Sequence, residues 1–284
     1  MLGRELALLF EARGLAYIGT GREVDVCSRE TLFSFAEKQQ DPIKWIINCA
    51  AYTAVDKAED DRENCFLLNA EAAGNISRAA DKIGAQLLHI STDYVFNGQG
   101  NRPYTEEDPV EPIGVYGLSK REGEIKVLEG NVNSYIIRTA WLYGKYGNNF
   151  VLTMLRLIKE RERVSVVKDQ RGSPTWTWDL AETIIKLLNL SNAGYTIPYG
   201  IYHFSNEGEI SWFDFAREIY AQGRIMGLLA RDCEITPCSS ADYPARVKRP
   251  AYSALDKAKI KAALGITIRA WDESLREFFK TCVN

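Results

Sequence analysis

The chain has 284 residues, 46% hydrophobic and 26% charged, a balance that predicts a globular enzyme with a sizeable core and excludes a disordered chain. A formal charge of -3, with Lys and Arg spread along the chain, gives no electrostatic footing for nucleic acid as a partner. Six cysteines without a CxxC pair suit reduced thiols in the cytoplasm, and the sequence predicts neither a membrane span nor a signal peptide.

In chain order, LGRELALLFEARG has helical spacing and YIGT (17 to 20) reads as a strand. GTGREVDV follows it, then WIINCAA (45 to 51), a strand apolar on both faces and so expected inside a covered sheet. A helical run from Glu63 to Ile83 leads to the strand QLLHIST (86 to 92), and SKREGEIKVLEG leads to the strand SYIIRTAWLYG (134 to 144). Gly14 and Gly84 are placed as helix C-caps. This alternation predicts an α/β chain with a Rossmann-type doubly wound parallel sheet, dinucleotide-binding over residues 1–145 with 177–205 returning to it.

Beyond residue 145 the rhythm changes. A helix NNFVLTMLRLIKERE, a strand RVSVVKDQ, a helix within GSPTWTWDLAETIIKLLNL, a helix WFDFAREIYAQ, a strand CEITPCS, a polar loop with Pro244 and Pro250 and two short terminal helices follow. Residues 146–176 and 206–284 are expected to form a smaller α/β substrate-binding lobe, packed on the first because no flexible linker separates them.

The first strand and glycine-rich turn of a dinucleotide-binding unit are missing ahead of the first helix, where Gly3 fits the last glycine of such a turn. Two readings stay open: about ten residues, a strand and its turn, precede Met1 in the natural protein, or the protein starts at Met1 and Gly3 merely opens a helix.

Chemistry concentrates in VYGLSK. Tyr116 and Lys120 stand four residues apart, one helical turn, so both side chains leave the same face and the ammonium can act on the phenol to bring its pKa toward the working range. A surface pair on a helix is the plain alternative. Ser91, Thr92 and Asp93 close a strand at the edge where open α/β sheets hold ligands, and Thr92 can share stabilisation of a developing alkoxide with Tyr116; a capped strand-to-loop turn is the alternative. Ala50 and Ala51, followed by Tyr52 and Thr53, would let a flat cofactor approach, while Asp56 and Glu59 are expected to cap and solvate the following helix. Arg22 suits a 2′-phosphate, which favours NADPH over NADH, and Asp25 could accept from an adenine amino group; a solvated turn explains both equally. His89 and His203, the two histidines, are expected in the core, and no metal site is expected.

The segments NCAAYTAVDKAE, STDYVFNG, PIGVYGLSKREGE, IIRTAWLYG, DQRGSPT and GIYHFSNEGEISWFDFA resemble the dTDP-4-dehydrorhamnose reductase family. The resemblance implies an extended short-chain dehydrogenase/reductase that reduces the 4-keto group of a nucleotide sugar with NADPH or NADH, as a monomer or homodimer. By motif it implies Thr92, Tyr116 and Lys120 as the catalytic set. Val55, Asp93, Tyr94 and Trp141 fall where the family holds substrate, and Met1, Leu2, Gly3, Asp25, Val26, Ala51, Tyr52 and Thr53 where it holds the dinucleotide. Arg246, Lys248, Arg249 and Tyr252 are candidates for the nucleotide diphosphate, or a solvated basic loop. The family also includes a regulatory subunit of methionine adenosyltransferase, and nucleotide-sugar epimerases are related to it, so a binding regulator and an epimerase are the rival functions.

Overall fold

The computed structural model describes residues 1–242 and 246–283; Pro244 lies outside the described residues. The first half comprises α1 (Leu2–Ala12), α2 (Arg29–Glu37), β1 (Trp45–Asn48), α3 (Val55–Ala58), α4 (Arg62–Phe66), a π turn (Leu67–Glu71), α5 (Ala72–Lys82), β2 (Gln86–Thr92), α6 (Val115–Gly130) and β3 (Ser134–Thr139). There follow β4 (Leu142–Tyr143), α7 (Phe150–Glu160), β5 (Arg163–Val167), β6 (Arg171–Gly172), β7 (Thr175–Trp176), α8 (Thr177–Asn192), β8 (Gly200–Phe204), β9 (Ile210–Ser211), α9 (Trp212–Ile225), β10 (Glu234–Cys238), α10 (Ala258–Leu264) and α11 (Trp271–Val283). Among the described residues no helix is long and apolar enough to cross a membrane, and the six cysteines are unpaired.

Four parallel strands form the main sheet in the order β1-β2-β3-β8, with Asn48 beside His89 and Thr92 beside Thr139. Successive side chains of a strand point to opposite faces, and the sequence fills both. Leu88, Tyr135, Ile137 and Tyr202 pack with Leu6 of α1 and Ile184 of α8, whereas Leu87 and Ile136 pack with Ile76 of α5 and Val127 of α6. This is the doubly wound arrangement expected from alternating apolar runs. A second core gathers Tyr143, Val151, Trp176, Phe215, Ile219 and Phe278 from the later elements, beside the two-stranded pair β5-β10.

Three expected strands come out differently. Residues 17–20 form no strand: Ile18 is 56% exposed, and no neighbour offers the ladder that would satisfy an extended backbone. WIINCAA is not an interior strand over 45–51. It ends at Asn48, because the Asn48 side chain accepts the Ala50 N–H at 3.0 Å and turns the chain, and it lies at the edge of the four-stranded sheet. The run 134–144 is two strands, broken at Trp141, whose φ of 47° lies in the left-handed region with neither glycine nor proline to signal it. The unforeseen α2 is opened by Ser28, which accepts the Thr31 N–H at 3.2 Å. Gly14 and Gly84 follow α1 and α5 with φ of 62° and 70°, as their C-cap placement requires.

The seating of α6 depends on two glycines. A Cβ on Gly117 would stand 2.2 Å from the Tyr94 carbonyl oxygen, and one on Gly123 2.1 Å from that of Asn69, so at both points backbone meets helix with no side chain between. Glu59 completes the seat by accepting the first N–H of the helix, that of Val115, at 2.8 Å. Gly123→Ala is therefore expected to lower the unfolding free energy by roughly 1–3 kcal/mol through overpacking, read as a lower urea midpoint at unchanged slope.

Candidate active site

The carboxyl ends of β1 and β2 lie at one edge of the sheet, where open α/β sheets hold ligands in a crevice, and α6 packs beside them. Tyr116 sits in the first turn of α6 and is half-buried; its phenol faces the Thr92 hydroxyl at the end of β2, near enough for that hydroxyl to favour the phenolate. Burial raises the pKa of that phenol above its ordinary value, outweighing the opposing influence of Thr92, so the hydroxyl holds its proton firmly. The Thr92 hydroxyl also reaches Asp93 Oδ1 at 3.0 Å and accepts the Tyr94 N–H at 3.2 Å, which starts a short 3-10 turn over Asp93–Val95.

Lys120 lies one turn further along α6, 2% exposed. Its nitrogen hydrogen-bonds the Ile90 carbonyl at 2.7 Å and stands 3.2 Å from His89 Nε2. Here the expected direct action of ammonium on phenol is corrected: the lysine is turned toward the sheet, the phenol toward Thr92. Burial lowers the Lys120 pKa to about 8.

The crevice floor is organised by the π turn. Asn69 accepts the Tyr52 N–H at 2.8 Å, donates to the Tyr52 carbonyl at 3.0 Å and donates to Ser119 Oγ of α6 at 2.9 Å, tying the loop after β1 to the tyrosine-bearing helix. An extra residue in a helix is a recurrent device at functional sites, but no periodicity in the sequence reveals it. Ala50, Ala51 and Thr53 line this loop, and Val55 opens α3 beyond it. The first turn of α1 abuts the end of β1, where a Cβ on Gly3 would meet Cys49 at an ordinary 3.6 Å, while the Leu2 side chain is committed to the core. That contact leaves room for a side chain at residue 3. Met1 caps α1, and the exposed Arg22 and Asp25 with half-buried Val26 lie on the loop before α2, where Asp25 accepts the Cys27 N–H at 3.0 Å.

From the other side of the crevice, Arg249 donates to the Tyr94 hydroxyl at 2.9 Å and to Asp56 Oδ2 at 2.6 Å, and Arg246 pairs with Asp60. The expectation that Asp56 and Glu59 serve the helix next in sequence is corrected: Asp56 holds the arginine and Glu59 caps α6, partners distant in sequence. Tyr94 meets the Tyr116 ring edge-on with centroids 5.4 Å apart. Tyr252 bonds Glu209 at 2.6 Å, and Lys248 is exposed. Trp141 stacks face to face on Trp212, with a Gly172 Cβ position only 2.7 Å from the Trp141 indole. Asn69, Gly117, Trp212 and Gly172 are site-forming residues that sequence reasoning missed; only the glycine inside YGLSK carried a hint.

Asp93 is buried, and its Oδ2 has no hydrogen-bond partner among the described residues; burial outweighs the easing of its charge by the Ser253 and Thr92 hydroxyls. A buried carboxylate oxygen with spare accepting capacity suits a ligand hydroxyl. Among the described residues no cluster of His, Cys, Asp and Glu is arranged to hold a metal.

A doubly wound sheet with this phenol and lysine one helical turn apart at its carboxyl edge defines an extended short-chain dehydrogenase/reductase. Residues 1–284 match the family model of the RmlD substrate binding domain. The chain is 40% identical to a dTDP-4-dehydrorhamnose reductase of Aggregatibacter actinomycetemcomitans over 97% of this chain and 94% of that protein, and 42% identical to one of Streptomyces griseus over 98% and 90%. A dTDP-4-dehydrorhamnose reductase of Bacillus anthracis, solved in complex with NADP, superposes with a TM-score of 0.90 at 38% identity, covering 99% of this chain and 95% of that one. The chain belongs to the dTDP-4-dehydrorhamnose reductase family.

Burial raises the Asp93 pKa from 3.8 to about 6. The folded protein thus holds this proton more tightly than the unfolded chain, and stability declines as pH rises from about 4 to about 6, by ~3 kcal/mol in all. Asp93→Asn should be more stable than the parent above pH 6, with the advantage gone near pH 4, measured as urea midpoints across that range.

Proposed function

We propose that this protein reduces the 4-keto group of dTDP-4-dehydrorhamnose to give dTDP-L-rhamnose, with NADPH as the preferred hydride donor over NADH. The observation that carries the reading is the Tyr116 phenol set beside the Thr92 hydroxyl at the mouth of the crevice, with Lys120 one turn further along the same helix. The relatives named as reductases of this substrate, at about 40% identity over nearly the whole chain, support it.

The residues present fit the dinucleotide. Ala50 and Ala51 carry no side-chain atom beyond Cβ, the first turn of α1 beside Cys49 offers a helix N-terminus to phosphate, and the exposed Arg22 can meet a 2′-phosphate. Met1, Leu2 and Gly3 would act through backbone, Asp25 and Val26 at the adenosine end, and Ala51, Tyr52 and Thr53 along the crevice. When bound, NADPH supplies the hydride that reduces the ketone carbon.

Tyr116 supplies the proton. Its burial keeps the phenol protonated until a more basic alkoxide forms against it, and proton transfer then quenches the charge. Thr92, held by the Tyr94 N–H, offers the same oxygen a second hydrogen bond once its single proton turns from Asp93 Oδ1 to the sugar. Lys120 contacts the ribose and anchors the wall that carries Tyr116. Asp93 Oδ2 accepts a sugar hydroxyl, Tyr94 and Val55 border the sugar, and Trp141, one face covered by Trp212, presents the other to its apolar side. Arg249 brings a guanidinium to the crevice mouth for the diphosphate. In this arrangement residues 1–145 with 177–205 hold the dinucleotide, and 146–176 with 206–284 hold the nucleotide sugar. Six unpaired cysteines among the described residues agree with a cytoplasmic setting.

NADPH absorbance should fall when the 4-keto sugar nucleotide is added, and Tyr116→Phe should cut kcat by roughly 10²–10⁴-fold with the Kd for NADPH unchanged. An epimerised sugar formed without net NADPH oxidation, or tight NADPH binding with no turnover at all, would overturn the assignment.

A further inference from the structure

The segment from Pro250 to Asp256 ties the later part of the chain to the earlier one through backbone hydrogen bonds on both sides of Ser253. Tyr252 donates to the Gly98 carbonyl at 3.0 Å, Tyr104 donates to that of Ala254 at 2.9 Å, and Ser253 donates to the Arg171 carbonyl while Arg171 donates to that of Ala251, both at 2.8 Å. Ser253 is thereby pinned. Its side chain is buried, 3% exposed, and a Cβ on Gly172 would stand 2.7 Å from its Oγ and equally close to the Trp141 indole. Glycine at 172 therefore lets hydroxyl and indole approach one spot. The same hydroxyl lies near enough to Asp93 to ease the charge of that buried carboxylate. Ser253 is the neighbour common to Asp93 and Trp141.

Asp93 Oδ1 takes the Thr92 hydroxyl, while Oδ2 is buried without a hydrogen-bond partner among the described residues, and a carboxylate can only accept. A serine hydroxyl can also donate. A ligand hydroxyl set against the two is satisfied in both directions, donating to Asp93 Oδ2 and accepting from Ser253 Oγ. We propose that Ser253 is a specificity-determining residue which, with Asp93, reads one sugar hydroxyl on the carbon beside the ketone. The inference rests on the reductase reading, which sets the ketone oxygen at Tyr116 and Thr92. Asp93 Oδ1 is only 3.0 Å from the Thr92 hydroxyl, so the group it serves belongs to a ring carbon next to the carbonyl. Of the two carbons flanking C4 in dTDP-4-dehydrorhamnose, C5 carries the methyl group and C3 carries a hydroxyl. The C3 hydroxyl is the one read. A buried site built to bond a hydroxyl rejects the analogue that lacks it, because its own polar atoms are then left unpaired.

The test compares reduction of dTDP-4-dehydrorhamnose and of its 3-deoxy analogue at saturating NADPH, by the parent protein and by Ser253→Ala. The parent should prefer the 3-hydroxy sugar by roughly 10²-fold or more in kcat/KM. Ser253→Ala removes a single oxygen. It should shrink that preference by roughly tenfold through a loss confined to the 3-hydroxy sugar, with reduction of the 3-deoxy sugar and the Kd for NADPH unchanged. Equal losses on both sugars, as a merely structural serine would give, overturn the proposal. So does a parent protein that reduces both sugars equally well, a result that needs no variant. Turnover of neither sugar by the parent protein sinks the reductase reading and this inference with it.

Discussion

The docking of Val115–Gly130 onto the sheet is the constraint from which the site follows, and its inner face is polar. Glu124 is fully buried, gripped by Arg138 of β3 and by the Ser91 hydroxyl at 2.6 Å, while Lys120 meets His89 and the Ile90 carbonyl of β2. Buried charges cost desolvation and give little net stability when paired, but they tolerate no misplacement. A slip of α6 by one turn would set Glu124 against aliphatic strand residues and leave Arg138 without its partner. Gly117 and Gly123 add a steric version of the same demand, since backbone meets backbone at both points. With depth and register of the helix fixed, the first turn has one place to put Tyr116, and that place is beside Thr92.

A second set of contacts closes the crevice from the later part of the chain. Arg249 joins Asp56 and Tyr94, and the backbone at Pro250 comes within 2.4 Å of where a Cβ on Gly98 would stand. The stacked indoles of Trp141 and Trp212 fill the space over Gly172. The left-handed backbone of Trp141 is a conformation that L-residues adopt at a cost, and surrounding packing must impose it. Such packing seats the indole against Trp212 and over Gly172 instead of along the strand.

Much of this was legible in the sequence because it rests on local periodicity. QLLHIST is a strand over the expected residues, the helical run from Glu63 reaches Lys82, and the four-residue spacing of Tyr116 and Lys120 does place both on one helix. What escaped depends on residues far apart in the chain. The edge position of Trp45–Asn48, the partnership of Glu59 with Val115 and of Asp56 with Arg249, and the π turn that presents Asn69 leave no local signature. The lysine partner is the instructive case, for spacing brought Tyr116 and Lys120 to one face, yet the sheet beneath supplied His89 and drew the amine away from the phenol.

The central claim is that α6 delivers one phenol, paired with Thr92, to the carbonyl of a bound sugar. A crystal structure of the protein with NADP and the reduced sugar nucleotide tests it most directly. The account predicts the sugar O4 within hydrogen-bond distance, about 2.5–3.0 Å, of both the Tyr116 and Thr92 hydroxyls. An O4 held elsewhere, with Tyr116 still beside Thr92 alone, would contradict it.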